Sequence, residues 1–181
     1  MPISYKSNKP QKLNKLNRWI PAIALMLVIF ILSSQSYEQQ DLRPDIQSSI
    51  SEQSVVDRFG GISFQYAGHE VSIESLGVAG FIEFFIRKGA HFTSYGLLAI
   101  LVMYALYPRK RLNRFMLTIT ISFLYACSDE LHQMFTPNRT AKFQDVMLDT
   151  AGAVFGAVLM VLLITWRQKR RQHRHDDVQK F

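Results

Sequence analysis

Histidine, carboxylate and basic side chains gather where hydrophobic stretches of this chain run out. The densest group is Ser128-Asp129-Glu130-Leu131-His132-Gln133-Met134-Phe135-Thr136-Pro137-Asn138-Arg139. Ionisable groups at membrane depth are costly, so a function is the default explanation for them. In one reading His132 is a general acid or base, oriented by Asp129, with Glu130 as a further acid. Arg139, Lys88 and Arg87 would then hold an anionic group such as a phosphate.

Spacing extends the group to two more segments. Lys88, His91 and Tyr95 recur at three and four residues, which puts them on one helical face. Asp129, His132 and Gln133 share a face in the same way, while Glu130 is turned about 100° from Asp129. Asp145 and Asp149 fall in register with Gly152 and Gly156, and the Gly-x-x-x-Gly pair admits a close neighbouring helix. Gly89 and Gly96 offer the same on the second segment. The substrate-facing set is therefore Arg87, Lys88, His91, Tyr95, Gln133, Arg139, Asp145 and Asp149.

Two other readings use the same residues. His91, His132 and one or two carboxylates are ligand types that suit zinc or manganese, but neither HExxH nor CxxC occurs. Alternatively the groups only neutralise one another and lock helices together, since isolated charges in a bilayer demand partners. A proton- or ion-coupled transporter would need a continuous polar path, and the opposite ends of the segments are nearly free of charge. The sequence names no cofactor. Cys127 lies in an apolar run and reads as a small buried hydrophobe.

The elements that position these residues are expected to be four membrane helices, over about 17–35, 88–107, 115–135 and 145–166. The fold class is thus an all-α membrane protein. A basic segment, 1–18, precedes the first helix and a basic tail, 167–181, follows the last. Between the first two helices lies an acidic stretch, 36–86. Within it Ile62–Tyr66 and Val71–Ile73 flank Ala67-Gly68-His69-Glu70, which reads as a β-hairpin with Gly68 in the turn. His69 reads as a solvated turn residue, and Glu74–Phe85 as a short interfacial helix.

The chain has 181 residues and a formal charge of +7. Its basic residues flank the apolar runs, so topology accounts for them better than nucleic-acid binding does. They collect before the first helix, between the second and third, and after the fourth. That distribution places both termini in the cytoplasm and the polar group at the outer boundary.

The motifs resemble those of the VanZ-like family of bacterial membrane proteins. The match rests on Arg87-Lys88-Gly89-Ala90-His91-Phe92 with Tyr95, on Ser128-Asp129-Glu130-x-His132-Gln133-x-Phe135 before Pro137-x-Arg139, and on Asp145 through Gly152 to Gly156. Ser33-Ser34-Gln35 fits as well. Asn138 stands where the family commonly has Gly, and Asp149 where it commonly has Asn. The resemblance implies a multi-span protein of a bacterial cell membrane, in a Gram-positive envelope. The family takes its name from a protein associated with low-level resistance to the lipoglycopeptide teicoplanin. The polar group at the lipid boundary, with both anionic and cationic members, points to action on a cell-envelope lipid or lipid-linked precursor, with membrane lipids and a cell-envelope precursor or a lipoglycopeptide as expected partners. A non-catalytic scaffold of the envelope is the alternative.

Overall fold

The computed structural model describes residues 16–137 and 140–178, with side chains through Gln172. Arg139 and Asn138, the lysines from Lys6 to Lys15, and the side chains of His173 and His175 lie outside the described residues.

A single 3-10 turn leads into helix α1, Ile20–Ser33. Two short helices follow, α2 at Arg43–Ser49 and α3 at Glu52–Phe59. Strands β1, Ser63–Tyr66, and β2, His69–Ser72, pair antiparallel. Helix α4 runs from Ile73 to Ala105, α5 from Arg111 to Gln133 and α6 from Phe143 to Val178.

The hairpin stands where expected. Its two-residue turn, Ala67-Gly68, has both φ angles positive, 52° and 80°, as the tight turn of a twisted hairpin requires. His69 is corrected from turn to strand, since it opens β2 opposite Tyr66. The acidic stretch also holds α2 and α3, each shorter than the periodicity that sequence patterns reveal.

The long helices differ from the expected limits. α1 has 14 residues, or about 21 Å at the α-helical rise, less than the ~30 Å of a bilayer core. The chain then bends by 114° between Ile20–Ser33 and Glu38–Ser49. The expected interfacial helix is not separate. It belongs to α4, which Ser72 caps through the Ser75 N–H and which breaks its helical geometry once, at Gly77 (φ 70°). α5 ends at Gln133 rather than Phe135. α6 carries its helix past Trp166 into the basic tail. Among the described residues one helix, Phe143–Gln172, is long and apolar enough by itself to cross a membrane.

α4 and α6 cross at the centre, with α1 and α5 packed around them. Ala99, Met103, Ala153 and Ala157 fill the crossing. A Cβ on Gly152 would overlap the Phe92 backbone, and one on Gly156 the Gly96 backbone. Gly96 opposes Gly152, so the expected glycine contact is present on both helices. Gly89 is corrected, because a Cβ there meets nothing within 4 Å.

The polarity of α5 is inverted relative to a helix of a water-soluble protein. Its buried residues are Arg114, Thr118, Ser122, Ala126, Asp129, Glu130 and Gln133, one polar stripe at helical spacing. Leu112, Met116, Phe123, Leu124 and Leu131 point outward. Apolar residues likewise cover the outside of α1 and α6, including Leu27, Ile31, Phe155 and Leu162.

Candidate functional site

The polar residues converge near the end of the bundle that the hairpin covers. From α4, Lys88 donates to Asp145 of α6 at 2.5 Å. From the end of β1, the Tyr66 hydroxyl donates to the same carboxylate oxygen, also at 2.5 Å. The Lys88 ammonium lies over the Tyr66 ring and beside Phe84. Burial, then the hydrogen bond to Asp145, pushes the Tyr66 phenol up from its ordinary range.

One helical turn deeper, His91 Nδ1 stands 3.4 Å from Asp149 Oδ1. Asp149 is completely buried, whereas His91 keeps part of its ring exposed. One turn deeper still, Tyr95 is completely buried and its hydroxyl has no hydrogen-bond partner among the described residues. α5 contributes Asp129, whose Oδ2 accepts from Gln133 at 3.3 Å. It also contributes Glu130, whose Oε2 accepts from the Lys142 backbone N–H at 2.9 Å. Among the described residues, Asp129 Oδ1, Glu130 Oε1 and both oxygens of Asp149 have no hydrogen-bond partner, His91 being in ion-pair contact with Asp149 rather than hydrogen-bonded to it.

Lys88, His91, Tyr95, Asp129, Glu130, Gln133, Asp145 and Asp149 are therefore brought together, and two expected members are not. His132 turns toward α1, where its Nε2 meets Ser34 Oγ at 2.9 Å and its ring stacks on Phe30 at 4.4 Å. No hydrogen bond joins it to Asp129, so the base-and-orienter pairing of these two is corrected. The reason lies in the end of α1, which supplies an aromatic face and a hydroxyl directly opposite His132.

Arg87 points the other way, into the outer segment. It donates to Glu83 at 3.1 Å and to the Gln40 carbonyl at 2.8 Å, and it lies over the Tyr37 ring. Glu83, only 1% exposed, also accepts from the Tyr37 hydroxyl and the Leu42 N–H. Arg87 is thus a tie for the outer segment, not an open anion ligand. Burial and the Glu83 hydrogen bond raise the Tyr37 phenol. Beside it, paired Arg43 holds the Asp41 carboxyl down at about 2.

Glu83 and Tyr66 are the residues that sequence reasoning missed. The four-residue step from Glu83 to Arg87 was an available signal. The reach of Tyr66 to Asp145, 79 residues away, had none.

Chemically the cluster has more acids than bases. Among the described residues, Asp129, Glu130, Asp145 and Asp149 face Lys88 and His91, and Lys88 is engaged by Asp145. The arrangement offers acid–base exchange at His91 and Asp149, beside acceptors for a ligand that donates hydrogen bonds or carries positive charge. No set of three or more His, Cys, Asp or Glu side chains among the described residues is arranged to hold a metal ion. His91 and His132, the two histidines of the metal reading, have separate partners.

Comparison with curated proteins and with solved structures finds no match. The VanZ/LLP1 family model matches residues 18–164. That stretch takes in α1, the outer segment, the cluster and most of α6, and on it the chain belongs to the VanZ/LLP1 family.

Proposed function

We propose that the chain is a multi-pass protein of a bacterial, Gram-positive cell membrane that acts on an amphiphilic envelope molecule at the outer leaflet. α1 with its flanking turns, α4, α5 and α6 would be the four spans, with both termini cytoplasmic. The inverted polarity of α5 and the apolar outer faces of α1 and α6 support lipid as the surrounding solvent. The distribution of basic residues supports the orientation. The substrate class we favour is a cell-envelope lipid or lipid-linked precursor, with teicoplanin resistance as the phenotype the family name brings to mind.

The observation that carries a working site, rather than a structural lock, is the set of buried oxygens without hydrogen-bond partners among the described residues. A purely structural network satisfies its members, because each unpaired buried polar group costs about 1–3 kcal/mol. Here Tyr95, Asp129, Glu130 and Asp149 all carry such atoms. The acid–base role falls to His91 with Asp149, in place of His132 with Asp129. A non-catalytic scaffold is the second reading, and the Lys88–Asp145–Tyr66 and Glu83–Arg87 ties favour it.

Growth inhibition by teicoplanin and by vancomycin in a glycopeptide-susceptible Gram-positive host separates these readings. Wild type, His91→Ala, Asp149→Asn and His132→Ala are compared at measured membrane levels. Protection from teicoplanin that is lost in normally abundant His91→Ala and Asp149→Asn, but kept in His132→Ala, supports action through the cluster. Protection that falls only in step with protein level favours the scaffold. No protection from well-expressed wild type removes the resistance phenotype from the proposal.

A further inference from the structure

At the opposite end of the bundle two arginines meet over one tyrosine. Arg18, just before α1, places its guanidinium carbon 5.3 Å from the Tyr107 ring centre and donates to the Tyr107 carbonyl at 2.6 Å. Arg114, in the first turn of α5, stands 5.6 Å from the same ring centre. Arg114 is only 6% exposed, and its Nε has no hydrogen-bond partner among the described residues. Cation–π contact supplies about 0.5–1 kcal/mol at exposed sites and about 2 kcal/mol when desolvated, but it neutralises nothing.

No carboxylate among the described residues pairs with either guanidinium. The sequence has no Asp or Glu at all over residues 1–37 or 84–128. Arg111 is occupied with neutral acceptors on α6, Thr165 and Gln168. The rule that sets membrane orientation explains why basic residues collect here. It does not explain burial, since an arginine that only sets orientation works from the aqueous side. A buried cation without a counter-charge is a strongly unfavourable arrangement.

We propose that Arg18 and Arg114 form a site for the phosphate of an anionic lipid, with the Tyr107 ring as its floor. Guanidinium groups bind phosphate oxygens through paired, charge-assisted hydrogen bonds. Tyr107 and Arg18 keep the site open to the surface. Tyr107 follows the end of α4 and Arg114 stands in the first turn of α5, the level at which lipid headgroups would sit on the four spans proposed above, and on that reading a lipid is favoured over free phosphate.

The test is thermal unfolding of the full chain in neutral detergent, titrated with phosphatidylglycerol, phosphatidylcholine or inorganic phosphate. Phosphatidylglycerol is expected to raise the wild-type midpoint, and the other two to leave it in place. Arg18→Gln and Arg114→Gln should each weaken the phosphatidylglycerol response about tenfold, the loss carried by one charge-assisted hydrogen bond. Arg171→Gln, on the exposed tail, should respond as wild type. Should Arg114→Gln fail to fold, the partly exposed Arg18 decides the matter. Equal responses from wild type and Arg18→Gln overturn the site, as does an equal loss in Arg171→Gln. An inorganic phosphate shift matching that of the lipid overturns the lipid assignment.

Discussion

Replacing Gly156 by Ala should destabilise the protein, whereas the same change at Gly89 should stabilise it. A Cβ on Gly156 falls on the oxygen, carbon and Cα of Gly96, which are backbone atoms and cannot rotate away. The helices must part, at an overpacking cost toward the top of about 1–3 kcal/mol. Alanine returns about 1 kcal/mol of helix propensity, leaving a net loss of about 2 kcal/mol. At Gly89 there is open space, so only the propensity gain of about 0.5–1 kcal/mol remains. A domain of this size shifts its midpoint by about 2–4 °C per kcal/mol. The two variants should therefore differ by about 5–12 °C in thermal unfolding, with wild type between them. Equal midpoints would refute the close α4–α6 crossing. Parting the helices should also pull His91 from Asp149, so Gly156→Ala is expected to lose any cluster-dependent protection at normal abundance.

Glu83→Ala should cost about 2–3 kcal/mol, below the usual loss for a buried pair because Arg87 is partly exposed, and limited proteolysis should then cut first in 36–62. Asp41 titrates in the folded chain at about 2 against an ordinary 3.8. Its depressed value means the Asp41–Arg43 pair stabilises the fold above about pH 4 and is lost as pH falls toward 2. Midpoints of Asp41→Asn should lack that acid limb, and an unchanged limb refutes the assignment. Ala67→Gly should raise stability by about 1 kcal/mol, since Ala67 holds a left-handed φ of 52°. A lower midpoint in that variant would count against the turn.

The long apolar segments, the hairpin and the glycine face of α6 were legible because each follows a simple period or turn rule. The Lys88, His91, Tyr95 face was legible for the same reason, and its partners Asp145 and Asp149 sit one turn apart to match it. What sequence could not supply was direction. His132 shares a face with Asp129 by spacing, yet Phe30 and Ser34 of a helix nearly 100 residues earlier draw it away. Arg87 and Lys88 are adjacent, and so diverge by about 100° around α4. One then ties down the outer segment while the other enters the cluster. The short α2 and α3 escaped notice because seven or eight residues show too little periodicity to read.

The inverted α5 has a consequence for how the chain is made. An Arg, Asp or Glu at the centre of a lone span adds about 2.5–3.5 kcal/mol to the cost of partitioning from the translocon into lipid, and less toward the ends, where the charge reaches the interface. α5 carries Arg114 in its first turn and Asp129 and Glu130 near its end, so on the proposed four-span topology each adds part of that cost, and α5 alone inserts less readily than the charge-free run of α6. Its acids find shelter only against α4 and α6, and α6 is synthesised last. On the proposed four-span topology, α5 should therefore enter the bilayer more completely when α6 follows it. A nascent chain that stops before Phe143 is expected to leave a larger share of α5 outside the bilayer than the full chain does, where a glycosylation or cysteine-accessibility tag at its end would report it.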